Sequence, residues 1–282
     1  MTKLYEGADP ASRAMTTPEP PGQTRFERVT GTIGALVHGV ELGGTEPATS
    51  AESLRRALHE FGVLFFEFDH LVSAPEFLAF AKLFGEPEES YRLTVAAGEA
   101  PYIDSDLVPM KDLRVNCWHT DGTALEVPPQ AALLTPVELP EVGGDTMWAS
   151  MYAAWEGLSS HYQRLLDGLE VQHGTARLPF LSQSASAVHP AVIRDPVTGR
   201  RMLFVNSNYS ERIVGMTDGE SEALLRMLFD HVNTPEFHVR LRWRPGVVAV
   251  WEERVTQHRG VADFVGPRKL RRLTLVGERP AA

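Results

Sequence analysis

Apolar residues in this chain fall mostly into short runs, and the length of these runs limits the folds that the chain can adopt. The run at residues 62–68 is almost continuously apolar, as expected for a strand that is buried on both faces. Residues 130–137 and 247–251 repeat this pattern, whereas residues 237–243 alternate between apolar and polar side chains. Many short strands with few helices are typical of a β-sandwich or a β-barrel. The sequence therefore predicts a mainly β fold with flanking helices.

Four capping boxes predict where the flanking helices begin. In a capping box, a Ser or Thr side chain accepts a hydrogen bond from the backbone N–H three residues later, and the Glu or Gln at that position bonds back. The first box predicts a helix over about residues 50–60, and the helix after the second box should end at Gly85. The boxes are Thr49 with Glu52, Ser73 with Glu76, Ser160 with Gln163 and Thr217 with Glu220.

Residues 1–24 differ in composition from the rest of the chain. This segment contains four prolines among small and polar residues and has little apolar periodicity, so we expect a flexible tail. Residues 25–282 contain no internal repeat and no linker-like segment, and we expect a single domain. Two irregular stretches inside it, residues 86–116 and 175–188, are long enough to be functional loops over a site.

Charge and cysteine content argue against several classes of partner. A formal net charge of −10 disfavours a nucleic-acid surface or a surface for anionic membranes, because both need a basic stripe. No apolar run has the length of a membrane-spanning helix, and the first residues lack the hydrophobic region of a signal peptide. Cys117 is the single cysteine, so no intrachain disulfide can form, as expected in a reducing cytoplasm. We therefore expect a cytoplasmic protein with a small-molecule substrate and without a nucleic-acid or membrane partner; a homo-oligomer stays open.

A candidate metal site lies in the segment Trp-His-Thr-Asp-Gly-Thr at residues 118–123. In an extended segment, His119 and Asp121 point to the same side, because side chains two residues apart share a face. A second histidine, His258, follows a predicted buried strand far downstream. Two histidines and one carboxylate that leave other positions open are typical of non-haem Fe(II) oxygenases. A His-x-Asp triplet alone is weak support, since short polar triplets recur by chance and most histidines are structural.

The chain resembles the taurine dioxygenase/TfdA family of Fe(II)- and 2-oxoglutarate-dependent dioxygenases in several motifs and in their order along the sequence. The resemblance extends from about Ile33 to Pro280, and the combination is more specific than any single motif. It identifies residues 25–282 as a dioxygenase catalytic domain with the double-stranded β-helix, or jelly-roll, fold of that family. The motifs are residues 118–123, Pro128-Pro129, residues 143–148, Trp251, residues 256–258 and residues 271–274.

The resemblance also implies ligands and chemistry. It assigns His119, Asp121 and His258 as Fe(II) ligands and 2-oxoglutarate as the cosubstrate, whose distal carboxylate would be held by Arg272 and Thr146. The implied reaction consumes O2, releases succinate and CO2 and hydroxylates an aliphatic carbon, and in some relatives a C–S or C–O bond then breaks. A guanidinium suits this carboxylate because it makes paired hydrogen bonds.

Two neighbouring arginines of this late segment have less certain positions. Arg271 should point away from the site, because adjacent strand residues face opposite sides. Arg268 lies an even number of residues from Arg272, so it could face the site or lie in the preceding turn.

The expected substrate is a small or medium organic anion. Relatives commonly act on organic anions, and a chain with a net charge of −10 must place cations locally to bind one. Taurine itself is not expected, because residues 90–95 and Val115 depart from the arrangement that holds its sulfonate. Glu252-Glu253 also replaces the more usual Asp-Asn, for which the sequence offers no interpretation. The candidate substrate residues are Tyr91, Arg92, Asn116 and Arg177.

Two other classes of protein remain open on sequence alone. A zinc hydrolase can use two histidines and a carboxylate, although it would not explain Thr146 and Arg272. A non-catalytic jelly-roll binding protein is the other alternative.

Overall fold

Fifteen strands and five α-helices form the described part of the computed structural model, which comprises residues 24–43, 48–88, 103–106, 116–176, 178 and 184–282, with backbone only for 48–50 and 103–106. The predicted tail lies outside these residues except for Thr24. The strands are β1 Arg25–Arg28, β2 Ala35–His38, β3 Val63–Glu67, β4 Ile103–Asp106, β5 Ala131–Glu138, β6 Thr146–Ser150, β7 Glu170–Gly174, β8 Ser186–Pro190, β9 Val192–Arg194, β10 Arg201–Leu203, β11 Ser210–Ile213, β12 His238–Leu241, β13 Val247–Glu252, β14 Thr256–Gly260 and β15 Lys269–Leu275. The helices are α1 Ala48–Phe61, α2 Ala74–Ala81, α3 Met151–Glu156, α4 Ser160–Leu166 and α5 Asp218–Val232, with a short 3-10 helix at Pro235–Phe237.

Two facing sheets form the centre of the molecule. The large sheet has seven strands in the order β1-β2-β3-β13-β5-β15-β4, and the small sheet has the order β12-β6-β14. Phe65 and Trp251 from the large sheet pack with Trp148 and Val239 from the small sheet in one apolar cluster. The rings of Phe65 and Trp148 are 5.5 Å apart, in an edge-on contact. This arrangement confirms the predicted mainly β class.

Helices cover the outer face of each central sheet. Leu54 of α1 and Phe77 of α2 pack against Leu133 and Val248 of the large sheet. On the small sheet, α3 and α5 belong to an apolar cluster that includes Ala149. None of the helices in the described ranges is long and apolar enough to cross a membrane.

The helix starts agree with two of the four predicted capping boxes. Ser73 with Glu76 and Thr217 with Glu220 both form the reciprocal hydrogen bonds that define the motif. The prediction for α4 was wrong by one residue, because the Ser159 hydroxyl, and not that of Ser160, accepts the N–H of the third helical residue.

The bounds of α1 and α2 also differ from the prediction. Helix α1 begins at Ala48, so Thr49 lies within the helix and not before it. Helix α2 ends at Ala81, before Gly85, because the backbone N–H groups of Leu83 and Phe84 bond to carbonyls three residues earlier and tighten the last turn.

Both predicted loops contain a strand. β4 lies within residues 86–116 and pairs antiparallel with β15 at the edge of the large sheet. β8 includes residues 186–188 of the second predicted loop and pairs with β7. Most other residues of these two stretches lie outside the described part.

Candidate metal centre

The two histidines of the candidate site lie directly opposite each other on neighbouring chain segments. The N–H of His119 donates to the carbonyl of His258 at 3.1 Å, and the N–H of His258 donates to that of His119 at 2.8 Å. Side chains of such an antiparallel pair lie on the same face. The imidazole centroids are accordingly 4.2 Å apart. This backbone bridge joins two histidines that are far apart in the sequence.

Asp121 completes a cluster of three potential ligands. Its Oδ1 lies 3.7 Å from His119 Nε2, and its Oδ2 lies 3.5 Å from His258 Nε2. One ligand atom from each of the three buried residues lies within 4.8 Å of the others. Within the part of the chain that the structure describes, this is the one group of three or more His, Cys, Asp or Glu residues with such spacing.

The protonation and hydrogen bonding of the cluster suit a divalent metal. Burial lowers the pKa of His119 to about 4 and holds the pKa of His258 well below its usual value, so both imidazoles are neutral near pH 7. The Nδ1–H of His119 donates to the Cys117 carbonyl at 2.8 Å, which leaves the Nε2 lone pair free to bind a metal. Two neutral nitrogens and one carboxylate fit Fe(II).

A tight turn after Asp121 fixes the direction of its carboxylate. Gly122 has a φ of +62°, and a Cβ at this position would lie 2.8 Å from Pro129 Cδ. His189 Nε2 lies 2.9 Å from the Thr123 carbonyl, to which it donates. His173 Nδ1 is 2.9 Å from the Thr123 hydroxyl. These two buried histidines therefore hold the turn.

Thr146 contacts Arg268 at the start of β6. The Nη2 of Arg268 lies 3.3 Å from Thr146 Oγ1, and its Nε donates to the Gly144 carbonyl at 2.6 Å. Arg268 is only 5% exposed, and burial lowers its pKa to about 10. Among the described residues, no carboxylate lies within 4.0 Å of this guanidinium. Arg268 is thus a buried cation beside Thr146, the threonine that the resemblance assigned to the distal carboxylate of 2-oxoglutarate.

Arg272 lies at the metal end of the site. Its Nη2 donates to Asp121 Oδ2, and the same nitrogen is 3.9 Å from Glu253 Oε1. The sequence predicted that Arg272 would share one carboxylate with Thr146, but the contacts of Thr146 are with Arg268. Spacing alone could not tell which arginine reaches Thr146, because the two lie an even number of residues apart. In the structure Arg268 precedes β15, and the strand register shifts between Lys269 and Leu270.

Glu253 is a buried residue of the site for which the sequence offered no role. Its Oε2 accepts the backbone N–H of Asp121 at 3.1 Å. Burial raises the pKa of the Glu253 carboxyl well above its usual value, and the neighbouring Glu252 adds to this effect. Its position directly after a buried strand was the one signal that could have placed it near the metal.

The predicted substrate residues are described only in part. Asn116 lines a groove of about 220 Å³ together with Trp118 and Arg259. Leu178 is buried with Ala124 and Tyr209. The remaining candidates, Tyr91, Arg92 and Arg177, lie outside the described residues.

Asp121→Ala should abolish tight Fe(II) binding, because it removes the carboxylate and leaves two neutral ligands. Anaerobic titration with Fe(II) against a competing chelator measures the dissociation constant. Asp230→Ala, which removes an exposed acid on α5, is the control and should bind Fe(II) like the wild type. Tight binding by Asp121→Ala would contradict the site.

The free energy of unfolding should fall as the pH decreases from 6.5 towards about 3, in part because of His173. Burial lowers the pKa of folded His173 to about 3, with a further lowering by His189, from the usual value of 6.5. Between these values the unfolded chain binds a proton that the folded chain does not, so this stabilisation is complete above pH 6.5 and is lost towards pH 3. Denaturant titrations of metal-free protein measure the slope. His173→Gln should flatten it and His161→Gln, at an exposed position, should not; three equal slopes would contradict the prediction.

A family model and several known proteins are similar to this chain over most of its length. The model described as "Taurine catabolism dioxygenase TauD, TfdA family" matches residues 25–274. The chain is 32% identical over 278 residues to an alkylsulfatase of Acinetobacter baylyi, covering 92% of this chain and 87% of the relative. It is 34% identical over 271 residues to an alpha-ketoglutarate-dependent sulfate ester dioxygenase of Pseudomonas putida, covering 89% of each. A crystal structure of a taurine dioxygenase from Burkholderia xenovorans has a TM-score of 0.80 at 34% identity, covering 93% of this chain and 91% of that one.

These matches confirm the jelly-roll fold, the enzyme class and the cofactors Fe(II), 2-oxoglutarate and O2 that the resemblance implied. They decide against a zinc hydrolase and a non-catalytic binding protein. The chain belongs to the TauD/TfdA family and is a non-haem iron dioxygenase that depends on 2-oxoglutarate.

Proposed function

We propose that this dioxygenase hydroxylates an aliphatic carbon of an organic anion, with iron at His119, Asp121 and His258 and the distal carboxylate of 2-oxoglutarate at Arg268 and Thr146. The observation that carries the proposal is the buried Arg268–Thr146 pair, which lies between the same two sheets as the metal ligands. When bound, iron and 2-oxoglutarate supply the oxidising chemistry and yield succinate and CO2, while the protein supplies orientation and excludes water.

The Thr146 hydroxyl is well suited to donate to a carboxylate. Its oxygen accepts one hydrogen bond from Trp243 Nε1 at 3.0 Å and a second from Arg268 Nη2 at 3.3 Å. A hydroxyl oxygen has two lone pairs, so both are in use and its proton remains to be donated. Within the described ranges, no protein acceptor takes that proton. Together with the N–H groups of Arg268, this proton forms a donor set for a carboxylate.

The register of β14 and β6 supports this placement of 2-oxoglutarate. Thr146 is paired with Gly260, and Gly260 lies two residues beyond the ligand His258 on the same strand. Two strand residues span about 7 Å, and both positions are on the same face. A five-carbon dicarboxylate that binds the metal through one end could therefore reach Thr146 with the other. In this arrangement Arg272, which contacts the ligand Asp121, is a candidate to bind the anionic group of the substrate.

Arg268→Lys should raise the apparent Michaelis constant for 2-oxoglutarate by roughly tenfold or more, because lysine loses the paired hydrogen bonds, worth ~1.5–3 kcal/mol for a charged group. Arg272→Lys is the matched comparison and should affect the constant for the organic substrate more than that for 2-oxoglutarate. Succinate release at varied 2-oxoglutarate measures both. The reverse pattern would return the distal carboxylate to Arg272, as the sequence predicted.

Sulfate esters are the first substrate class to test. Two similar relatives are named as an alkylsulfatase and a sulfate ester dioxygenase. The net charge of −10 means that an anionic substrate needs a local cation, and Arg272, with 23% of its side chain exposed, lies against the ligand Asp121. The sequence candidates Tyr91, Arg92, Asn116 and Arg177 stay predictions for the same role.

Alkyl sulfates and sulfonates should stimulate succinate release more than neutral compounds of the same shape. The reason is that the half-buried Arg272 near the metal attracts an anion but not a neutral compound of the same shape. Arg92→Ala or Arg177→Ala should weaken this stimulation without altering the apparent affinity for 2-oxoglutarate. Stimulation by neutral or cationic compounds alone would overturn the anion proposal and leave the dioxygenase class intact.

The cellular setting rests on composition. The single cysteine is consistent with a cytoplasmic location, and the negative charge argues against nucleic-acid and anionic-membrane partners. A homo-oligomer stays a prediction that sedimentation of the purified protein would test.

A further inference from the structure

The two histidine ligands differ in the hydrogen bonding of Nδ1, the ring nitrogen that does not face the metal site. His119 Nδ1 lies 2.8 Å from the Cys117 carbonyl, whereas His258 Nδ1 is buried and has no hydrogen-bond partner among the described residues. A histidine that binds a metal through Nε2 carries a proton on Nδ1, and this proton is almost always donated to a carboxylate, a carbonyl or water. Among the described residues, Glu253 is the acid with an oxygen within 4.0 Å of His258 Nδ1: its Oε2 is 3.8 Å away.

Glu253 also contacts the backbone of a second ligand. Its Oε2 accepts the N–H of Asp121 at 3.1 Å, while its Oε1 is buried without a hydrogen-bond partner in the described part of the chain. The residue has no exposed surface. One carboxylate thus bonds to the segment that carries Asp121 and lies beside the ring of His258.

The adjacent residue Glu252 has a purely structural role at the turn between β13 and β14. Glu252 is equally buried, but its Oε1 accepts from Arg254 Nε at 2.6 Å and its Oε2 accepts from the Val255 N–H at 2.9 Å. Both of its oxygens are satisfied by the turn between β13 and β14. Glu253 Oε1 has no such hydrogen bond in the described part of the chain and is 3.9 Å from Arg272 Nη2, and a buried carboxylate that lacks a hydrogen bond costs stability. Folding alone therefore explains Glu252 but not Glu253.

We propose that Glu253 is a positioning residue of the metal centre, which accepts the Nδ1–H of metal-bound His258 while it holds Asp121 through the backbone. The proposal rests on the metal site proposed above and adds a residue that differs from the Asn more usual at this position in the family. The contact fixes the tautomer and the orientation of the imidazole.

Glu253→Gln separates this role from a structural one. The amide keeps the shape, but each of its two orientations places the NH2 group opposite donors: Arg272 Nη2 at the Oε1 position, or the Asp121 N–H and the His258 Nδ1–H at the Oε2 position. The dissociation constant for Fe(II) should rise by about 10–100-fold. The metal-free variant should unfold at about the same temperature as the wild type, because the amide keeps the shape of the side chain and can accept the Asp121 N–H.

The experiment compares wild type, Glu253→Gln and Glu252→Gln by anaerobic Fe(II) titration and by thermal unfolding without metal. Glu252→Gln is the control and should lower the unfolding temperature while it leaves the Fe(II) dissociation constant within about threefold of wild type, since its contacts are with the turn. Unchanged Fe(II) affinity in Glu253→Gln would overturn the proposal. An equal loss of affinity in both variants would also overturn it, because the effect would then come from the turn.

A measurement on the wild type covers the case in which a variant fails to fold. With Zn(II) bound, the His258 Nδ1–H should give a slowly exchanging ring proton in the NMR spectrum, because it is buried and hydrogen-bonded. Rapid exchange of this proton with water would overturn the proposal. Failure of the metal site itself would appear separately, as wild-type Fe(II) binding that Asp121→Ala does not weaken.

Discussion

The backbone bridge between His119 and His258 is the constraint on which the rest of the site depends. Two hydrogen bonds hold these residues opposite each other, and this pairing places both imidazoles on one face. Further contacts support the bridge: the Thr120 hydroxyl donates to the Thr256 carbonyl, and the Asp121 N–H donates to Glu253. Metal ligands that come from such an interlocked pair of segments are held more firmly than ligands on separate loops.

The space between the two sheets provides the rest of the site. On β15, Leu270 packs in the apolar cluster between the sheets, and Arg272 lies on the same face. Thr146 of the small sheet contacts Arg268, which directly precedes β15 of the large sheet, and pairs with Gly260, two residues beyond the ligand His258. A buried arginine without a nearby carboxylate costs free energy in the absence of a ligand. An anionic cosubstrate would remove that cost, which links the stability of this region to its occupancy.

Sequence patterns predicted the elements whose signal is local. The apolar runs gave β3, β5 and β13, and two capping boxes gave the starts of α2 and α5, because these signals come from neighbouring residues. β4 was missed because Ile103–Asp106 has no clear apolar alternation and forms by pairing with β15 at a sheet edge.

In the site, too, local signals could be read from the sequence and long-range contacts could not. The spacing of His119 and Asp121 predicted their proximity, whereas the inclusion of His258 needed the family resemblance, because its pairing with His119 is a long-range contact. Arg268 and Arg272 could not be separated by parity alone, and the contact of Arg268 with Thr146 depends on how two sheets face each other. The position of Glu253 likewise depends on a long-range contact, in which the turn between β13 and β14 bonds to the segment that carries Asp121.

The central claim is that one iron and one 2-oxoglutarate occupy the space between these sheets, and X-ray diffraction at the iron absorption edge tests it most directly. Anaerobic crystals grown with Fe(II) and 2-oxoglutarate should give one anomalous peak about 2.0–2.2 Å from His119 Nε2, His258 Nε2 and a carboxylate oxygen of Asp121. The distal carboxylate of 2-oxoglutarate should lie at Arg268 and Thr146. An iron peak away from the three ligands, or a distal carboxylate bound elsewhere, would contradict the account.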